Sequence, residues 1–199
     1  MNVSSSDGIL RFEFDEDLLH TIEDALGSKS ESRRVLKNAV NDTARDAKKA
    51  LAKKPQETYA VKQGRFTKAM KTQNATESSL TATINVTGEQ LELKDFKVSP
   101  ATYRTGQDKP DVLKAKVLLS SSLKGLMKSN NKAFLVKFRN GHVSVAQRYH
   151  KTRYPIKKLL SNSIPTMIGS KDRVYGVIEP EIYDTLMDNI LKEIKRVTR

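Results

Sequence analysis

Three histidines, His20, His142 and His150, are the residues of this chain best suited to acid–base or metal chemistry. None pairs with another histidine at the i,i+4 spacing of a zinc-binding helix. Cysteine is absent, which removes disulfides, thiolate metal sites and cysteine nucleophiles together. The sequence has no phosphate-cradling glycine loop, no dinucleotide fingerprint and no nucleophile elbow. Carboxylate pairs do occur, Asp15 with Asp17 and Glu179 with Glu181, but both coincide with expected helix starts. Capping and helix-dipole complementation account for them there. The expectation is a protein that is not an enzyme and needs no metal or cofactor.

Binding chemistry is better represented. With 36 Lys and Arg against 23 Asp and Glu, the chain carries a net charge of +13. Such an excess favours nucleic acid, an anionic surface or an acidic protein partner. Basic residues spread from Arg33 to the C-terminus, whereas Glu13–Asp24 is acidic. The stretch Arg148–Lys158, RYHKTRYPIKK, is the candidate contact surface. There Tyr149 and Tyr154 can stack or pack while Arg148, Arg153, Lys157 and Lys158 meet phosphates or carboxylates. The plainer reading is an edge segment whose tyrosines pack on a sheet while the cations stay solvated. Lys114 and Lys116, on the polar side of an alternating strand, join the candidate surface. No segment combines a basic helix with base-reading positions in a recognised motif, so a sequence-specific reader is not expected.

These residues need a scaffold. Gly8–Phe14 alternates and suggests a short strand, after which Asp15 can cap a helix bearing Leu18, Leu19, Ile22 and Leu26, closed by Gly27. Ser28 and Glu31 have capping-box spacing. A long helix should follow to about Lys54, stopping before Pro55, with Leu36, Val40, Ala44, Ala47 and Leu51 as its apolar stripe. A short helix is expected around Phe66 and Met70. Leu80, Ala82, Ile84 and Val86 alternate with polar residues as in a half-buried strand. Gly88 marks a turn, and Leu91, Leu93 and Phe96 a second extended piece.

Ser99–Pro110 is polar, without periodicity, and reads as a long exposed loop. Its Tyr103, Arg104, Gln107 and Lys109 form a candidate assembly segment, expected to order only against a neighbouring subunit or a partner ring. Val112–Leu119 alternates again, with Leu113, Ala115, Val117 and Leu119 on one face. Leu123–Lys132 reads as a polar connection. Ala133–Phe138 and His142–Gln147 should form a hairpin about Asn140-Gly141, in a type I′ turn. Leu159–Met167 is helical or irregular, and Glu179–Thr198 is a helix with acids early and bases late.

The sum is an α+β chain: a long N-terminal helix and a C-terminal helix packed on a mainly antiparallel sheet of about four strands. Residues 1–32 are expected as an N-terminal strand and helix segment, and 33–199 as one domain carrying the loop 99–110. Neither a secretory signal nor an apolar run long enough for a membrane span is visible.

The order of these pieces carries a resemblance. The helix VLKNAVNDTARDAKKALAKK is followed by SLTATINVTG, LELKDF and VLKAKVLLSSS, then by AFLVKFRNGHVSVAQR running into RYPIKKLLSNSIPTMIG. This succession, from about Arg33 to Gly169, resembles the minor tail protein Z family of tailed phages and prophages. The resemblance implies a structural virion protein of a tailed bacteriophage, made in the host cytoplasm. It implies tail completion and head–tail joining near the head-proximal end of the tail, by assembly and without turnover. Implied partners are tail or neck proteins (tail tube, terminator or connector), a homo-oligomeric ring, and non-specific DNA contact in its lumen. The competing expectation is a free-standing basic nucleic-acid-binding protein.

Overall fold

The computed structural model describes residues 2–6, 9–13, 16–61, 64–102, 112–128 and 131–198. In chain order the first elements are β1 (Asn2–Ser6), β2 (Ile9–Glu13), α1 (Glu16–Leu26), α2 (Lys29–Thr58), α3 (Arg65–Ala69), β3 (Met70–Gln73) and β4 (Ala82–Val86). Next come β5 (Gln90–Glu92), a 3-10 turn (Leu93–Asp95), β6 (Lys97–Ser99), β7 (Lys114–Lys116), β8 (Lys124–Gly125), β9 (Met127–Lys128), β10 (Asn131–Lys137) and β11 (Val143–Arg148). The last are β12 (Ile156–Lys158), β13 (Leu160–Ser163), α4 (Ile164–Ile168) and α5 (Tyr175–Val197). The class is α+β, as the sequence implies, with the antiparallel strands divided among several small sheets. The chain forms two compact units, one from 1–55, 66–88 and 164–199, the other from 56–65 and 89–163.

In the first unit the strands run in the order β1-β2-β4-β3, all antiparallel. Ala82, Ile84 and Val86 of β4 are buried on one face, as their alternation requires. The stripe of α2, from Leu36 to Leu51, is buried along its length, and its alanines permit close approach. Gly27 ends α1 with φ +65° and its N–H on the Glu23 carbonyl. The Glu31 amide reaches Ser28 Oγ at 3.4 Å, so only a loose capping bond forms. Two polar pairs tie α2 to α5: Asn189 donates to Thr43 Oγ1 at 3.0 Å, and Asn38 donates to the buried Glu193 carboxylate at 3.0 Å. The Asn41 amide clamps the backbone of Ala75 from both sides, at 3.1 and 2.7 Å.

Both long helices extend beyond the bounds read from sequence. α2 continues through the buried Pro55 to Thr58, and α5 begins at Tyr175 and passes through Pro180. Proline removes one main-chain hydrogen bond, and near a helix end that single loss is outweighed by burying Pro55 or Tyr175 and Ile178. At the start of α5 a Cβ on Gly176 would lie 2.3 Å from the Lys171 carbonyl oxygen, so only glycine fits.

The second unit is a closed antiparallel barrel. Residues 124–128 pair with β7 through β8 and with β10 through β9. At their centre Leu126 donates to Leu113 O at 2.8 Å and accepts from the Ala133 amide at 2.9 Å. Residues 156–163 do the same on the other side, pairing with β11 through β12 and with β5 through β13. At that centre Leu159 donates to Val145 O at 2.9 Å and accepts from the Leu93 amide at 2.8 Å. β5 leads through the 3-10 turn into β6, which pairs with β7 and completes the ring. Leu91, Leu93, Phe96, Val98, Leu113, Ala115, Ala133, Val145 and Ala146 are buried in this unit.

Three local expectations are corrected here. The alternating stretch 112–119 yields a strand of only Lys114–Lys116, and Leu119 is exposed because the chain turns away after an isolated bridge between Leu118 and Tyr59. Leu123–Lys132 supplies three strand segments instead of a connection, since main-chain pairing on both sides needs no apolar pattern. The hairpin turn has positive φ at Gly141 but not at Asn140, so it is not type I′. The Gly141 amide bonds Phe138 O at 2.9 Å and the Phe138 amide bonds His142 O at 2.7 Å, the pattern of a type I turn closed by a glycine bulge.

A carboxylate locks one side of the barrel. Glu92 on β5 lies 2.9 Å from Nζ of Lys158 on β12 and 2.9 Å from Nε2 of His142 at the hairpin. Burial alone raises the Glu92 pKa. Ser144, Lys158 and His142 outweigh that effect and hold it at about 2. Ser144 Oγ is buried without a partner in full hydrogen-bond geometry, so it acts on Glu92 as a neighbouring dipole.

Two outcomes follow. Gly176→Ala should lower unfolding stability in urea by about 1–3 kcal/mol, through overpacking against the backbone at Lys171; a loss below about 0.5 kcal/mol would show that this turn yields freely. The depressed Glu92 pKa contributes stability above its ordinary value of 4.5 that is lost as pH falls towards about 2. Denaturation midpoints measured from pH 6 to pH 2.5 should therefore fall less steeply for Glu92→Gln than for the natural chain. Identical slopes would mean that the lock contributes nothing.

Candidate functional site

The positive charge of this chain is concentrated in one part of it. Residues 112–171 contain 13 Lys and Arg and no Asp or Glu, so the other 23 basic residues are matched by 23 acidic ones. By unit, the barrel segments hold 18 basic and 6 acidic residues, and the remaining segments hold 18 and 17. The wide spread of lysines along the sequence conceals this division. Locating the acids would have exposed it.

The barrel displays the basic-aromatic stretch between β11 and β12. Residues 148–155 are exposed without interruption, and Tyr149 and Tyr154 are 54% and 65% accessible. Strand pairing sets its base, with Arg148 opposite Ile156 and Gln147 opposite Lys157. Above that base each aromatic ring holds a cation. Lys157 Nζ lies 5.3 Å from the Tyr149 ring, and the Arg153 and Arg148 guanidiniums lie 5.7 Å from Tyr154 and Phe134. The tyrosines thus stand out from the barrel, and Lys157 and Arg153 rest on them.

The structure divides the residues singled out from the sequence. Arg148, Tyr149, Arg153, Tyr154 and Lys157 share the exposed connection and its base. Lys158 is turned to Glu92 and lies 5.4 Å from the Phe138 ring, so it braces the barrel. Lys116 donates to the Leu119 carbonyl at 2.7 Å and stands opposite Lys97 across the β6–β7 pair. Lys114 is exposed on β7 opposite Ser99. Arg148, Lys151, Arg153, Lys157 and Lys114 form no ion pair among the described residues. Tyr103, Arg104, Gln107 and Lys109 lie outside the described residues.

Sequence reasoning did not identify Glu92, Ser144 and Phe138, which brace the cationic side through contacts between distant strands. Lys151 was overlooked within the stretch itself. Among the described residues no group of three or more His, Cys, Asp or Glu is placed to hold a metal ion. Nor is any described helix long and apolar enough to cross a membrane. The arrangement is a fixed display of cations and phenol rings.

Comparison with known proteins extends the resemblance carried by the segment order. No curated protein matches the chain, and no solved structure matches it. The model of the prophage minor tail protein Z (GPZ) family matches residues 25–199, which takes in the long helix, the barrel and the whole of α5. The chain therefore belongs to the prophage minor tail protein Z family, a family of structural components of the phage tail.

Proposed function

We propose that this minor tail protein completes the tail and joins it to the head, acting as a homo-oligomeric ring at the head-proximal end among tail and neck proteins. The supporting observation is an unpaired apolar ridge on α5. Val177, Tyr183, Met187 and Leu191 are all exposed there, on the side away from buried Ile182, Leu186 and Ile190. An apolar stripe of this extent on a highly charged chain is a contact surface. Its occupant is a second copy, because charge restricts how copies can meet. Barrels with 18 basic and 6 acidic residues repel one another, so association falls to the near-neutral segments that carry α5. The reading involves no turnover, in keeping with the structural role of the family.

The test begins with electron microscopy of phage lacking the gene, with the gene restored in trans as control. Filled heads beside unattached, full-length tails are expected; normal infectious particles would sink the joining role. Sedimentation of the purified chain then addresses the ridge. Tyr183→Asp with Leu191→Asp should shift the species to monomer with unchanged helicity, and unaltered assembly would remove α5 from the contact.

A further inference from the structure

We infer that the surface which residues 112–163 of the barrel build, a stretch without acids, is a contact for duplex DNA, made through phosphates and without reading sequence. The inference rests on the adaptor reading in one respect: a head-proximal ring would surround the path of the DNA. Its own support is electrostatic and geometric.

Folding does not require this charge pattern and works against it. From Val112 to Ser163 the barrel strands and loops carry 12 basic residues and no acid. Lys97 and Lys116 face each other directly across a strand pair, an arrangement that destabilises a sheet. A stretch of 52 residues kept at one sign against such repulsion fits a partner that is uniformly of the other sign.

Composition selects the polymer over an acidic protein. Nine of those 12 residues are lysine. Protein interfaces are depleted in lysine and mix both signs at their rims. Phosphate accepts lysine readily as a point charge. The side chains are also held ready, because aromatic rings hold the heads of Arg148, Arg153 and Lys157 and, among the described residues, no carboxylate pairs with them. Cations placed beforehand lose less side-chain entropy when they bind. Arg148–Lys158 contains no Asn or Gln, the residues that pair bidentately with adenine, so its contacts position the chain on the backbone.

Duplex is favoured over single-stranded DNA by the same rings. Tyr149 and Tyr154 each have a cation on one face, which suits a phosphate contact better than insertion between bases.

Fluorescence anisotropy of the full chain with two unrelated duplexes, between 50 and 200 mM salt, tests the inference. The five cations without an ion pair among the described residues predict a slope of log K on log salt of about −4.5, an affinity loss of roughly 500-fold over that range, equal for both sequences. The triple variant Lys151→Ala, Arg153→Ala, Lys157→Ala should unfold like the natural chain and reduce the slope to about −2. Absence of binding at 50 mM salt, or an unchanged slope in the triple variant, would overturn the inference. Tighter binding of single strands with quenched tyrosine fluorescence would replace phosphate contact by stacking and also overturn it. In particles, the variant should enter tails normally and lower infectivity. Loss of the variant from tails would make the surface a protein contact instead. Natural-chain binding to DNA alongside normal particles from the deleted phage would defeat the adaptor reading and leave the DNA contact standing.

Discussion

Main-chain hydrogen bonding passes through Leu126 and Leu159 in both directions, and the barrel depends on that continuity. Each residue donates to one neighbouring segment and accepts from another, so short pairings of two to five residues join into a ring. An open sheet of such short, lysine-rich strands would leave unpaired amides and carbonyls along its edges. Closure satisfies them through the backbone and asks little of the side chains. It therefore permits a run, Val112–Ser163, with little apolar alternation and no acid.

That freedom has an electrostatic cost, which the structure meets locally. Glu92 draws in Lys158 and His142, and aromatic rings beneath Lys157, Arg148 and Arg153 receive charge where, among the described residues, no carboxylate pairs with them. Lys116 is satisfied by a carbonyl. These devices stabilise the barrel without neutralising it. The chain pairs a nearly balanced unit, built from long helices and a four-stranded sheet, with one that is strongly basic.

Residue patterns revealed the helical unit well. The stripe from Leu36 to Leu51 and the alternation from Ala82 to Val86 are buried as their periods imply, because one helix or strand presents its apolar face to one core. Their limits were less legible at Pro55 and Tyr175, where packing offset a missing amide bond. The barrel was only partly visible. The hairpin at Gly141 has a local signature, but β8, β9 and β13 have none, since their place is set by partners distant in sequence. Glu92 reads as one polar residue in LELKDF, and only pairing with β13 and proximity to the hairpin give it a role.

The sequence by itself determined the α+β class, the long helices, the family and the excess of positive charge, because these follow from short-range periodicity, segment order and residue counts. Tertiary structure decided that the strands close into a barrel and that Lys158 and Lys116 are engaged by Glu92 and the Leu119 carbonyl. It also left Arg153, Lys157 and both tyrosines on the open surface. The physical reason is that hydrogen-bond closure and ion pairing depend on distances between residues far apart in the chain.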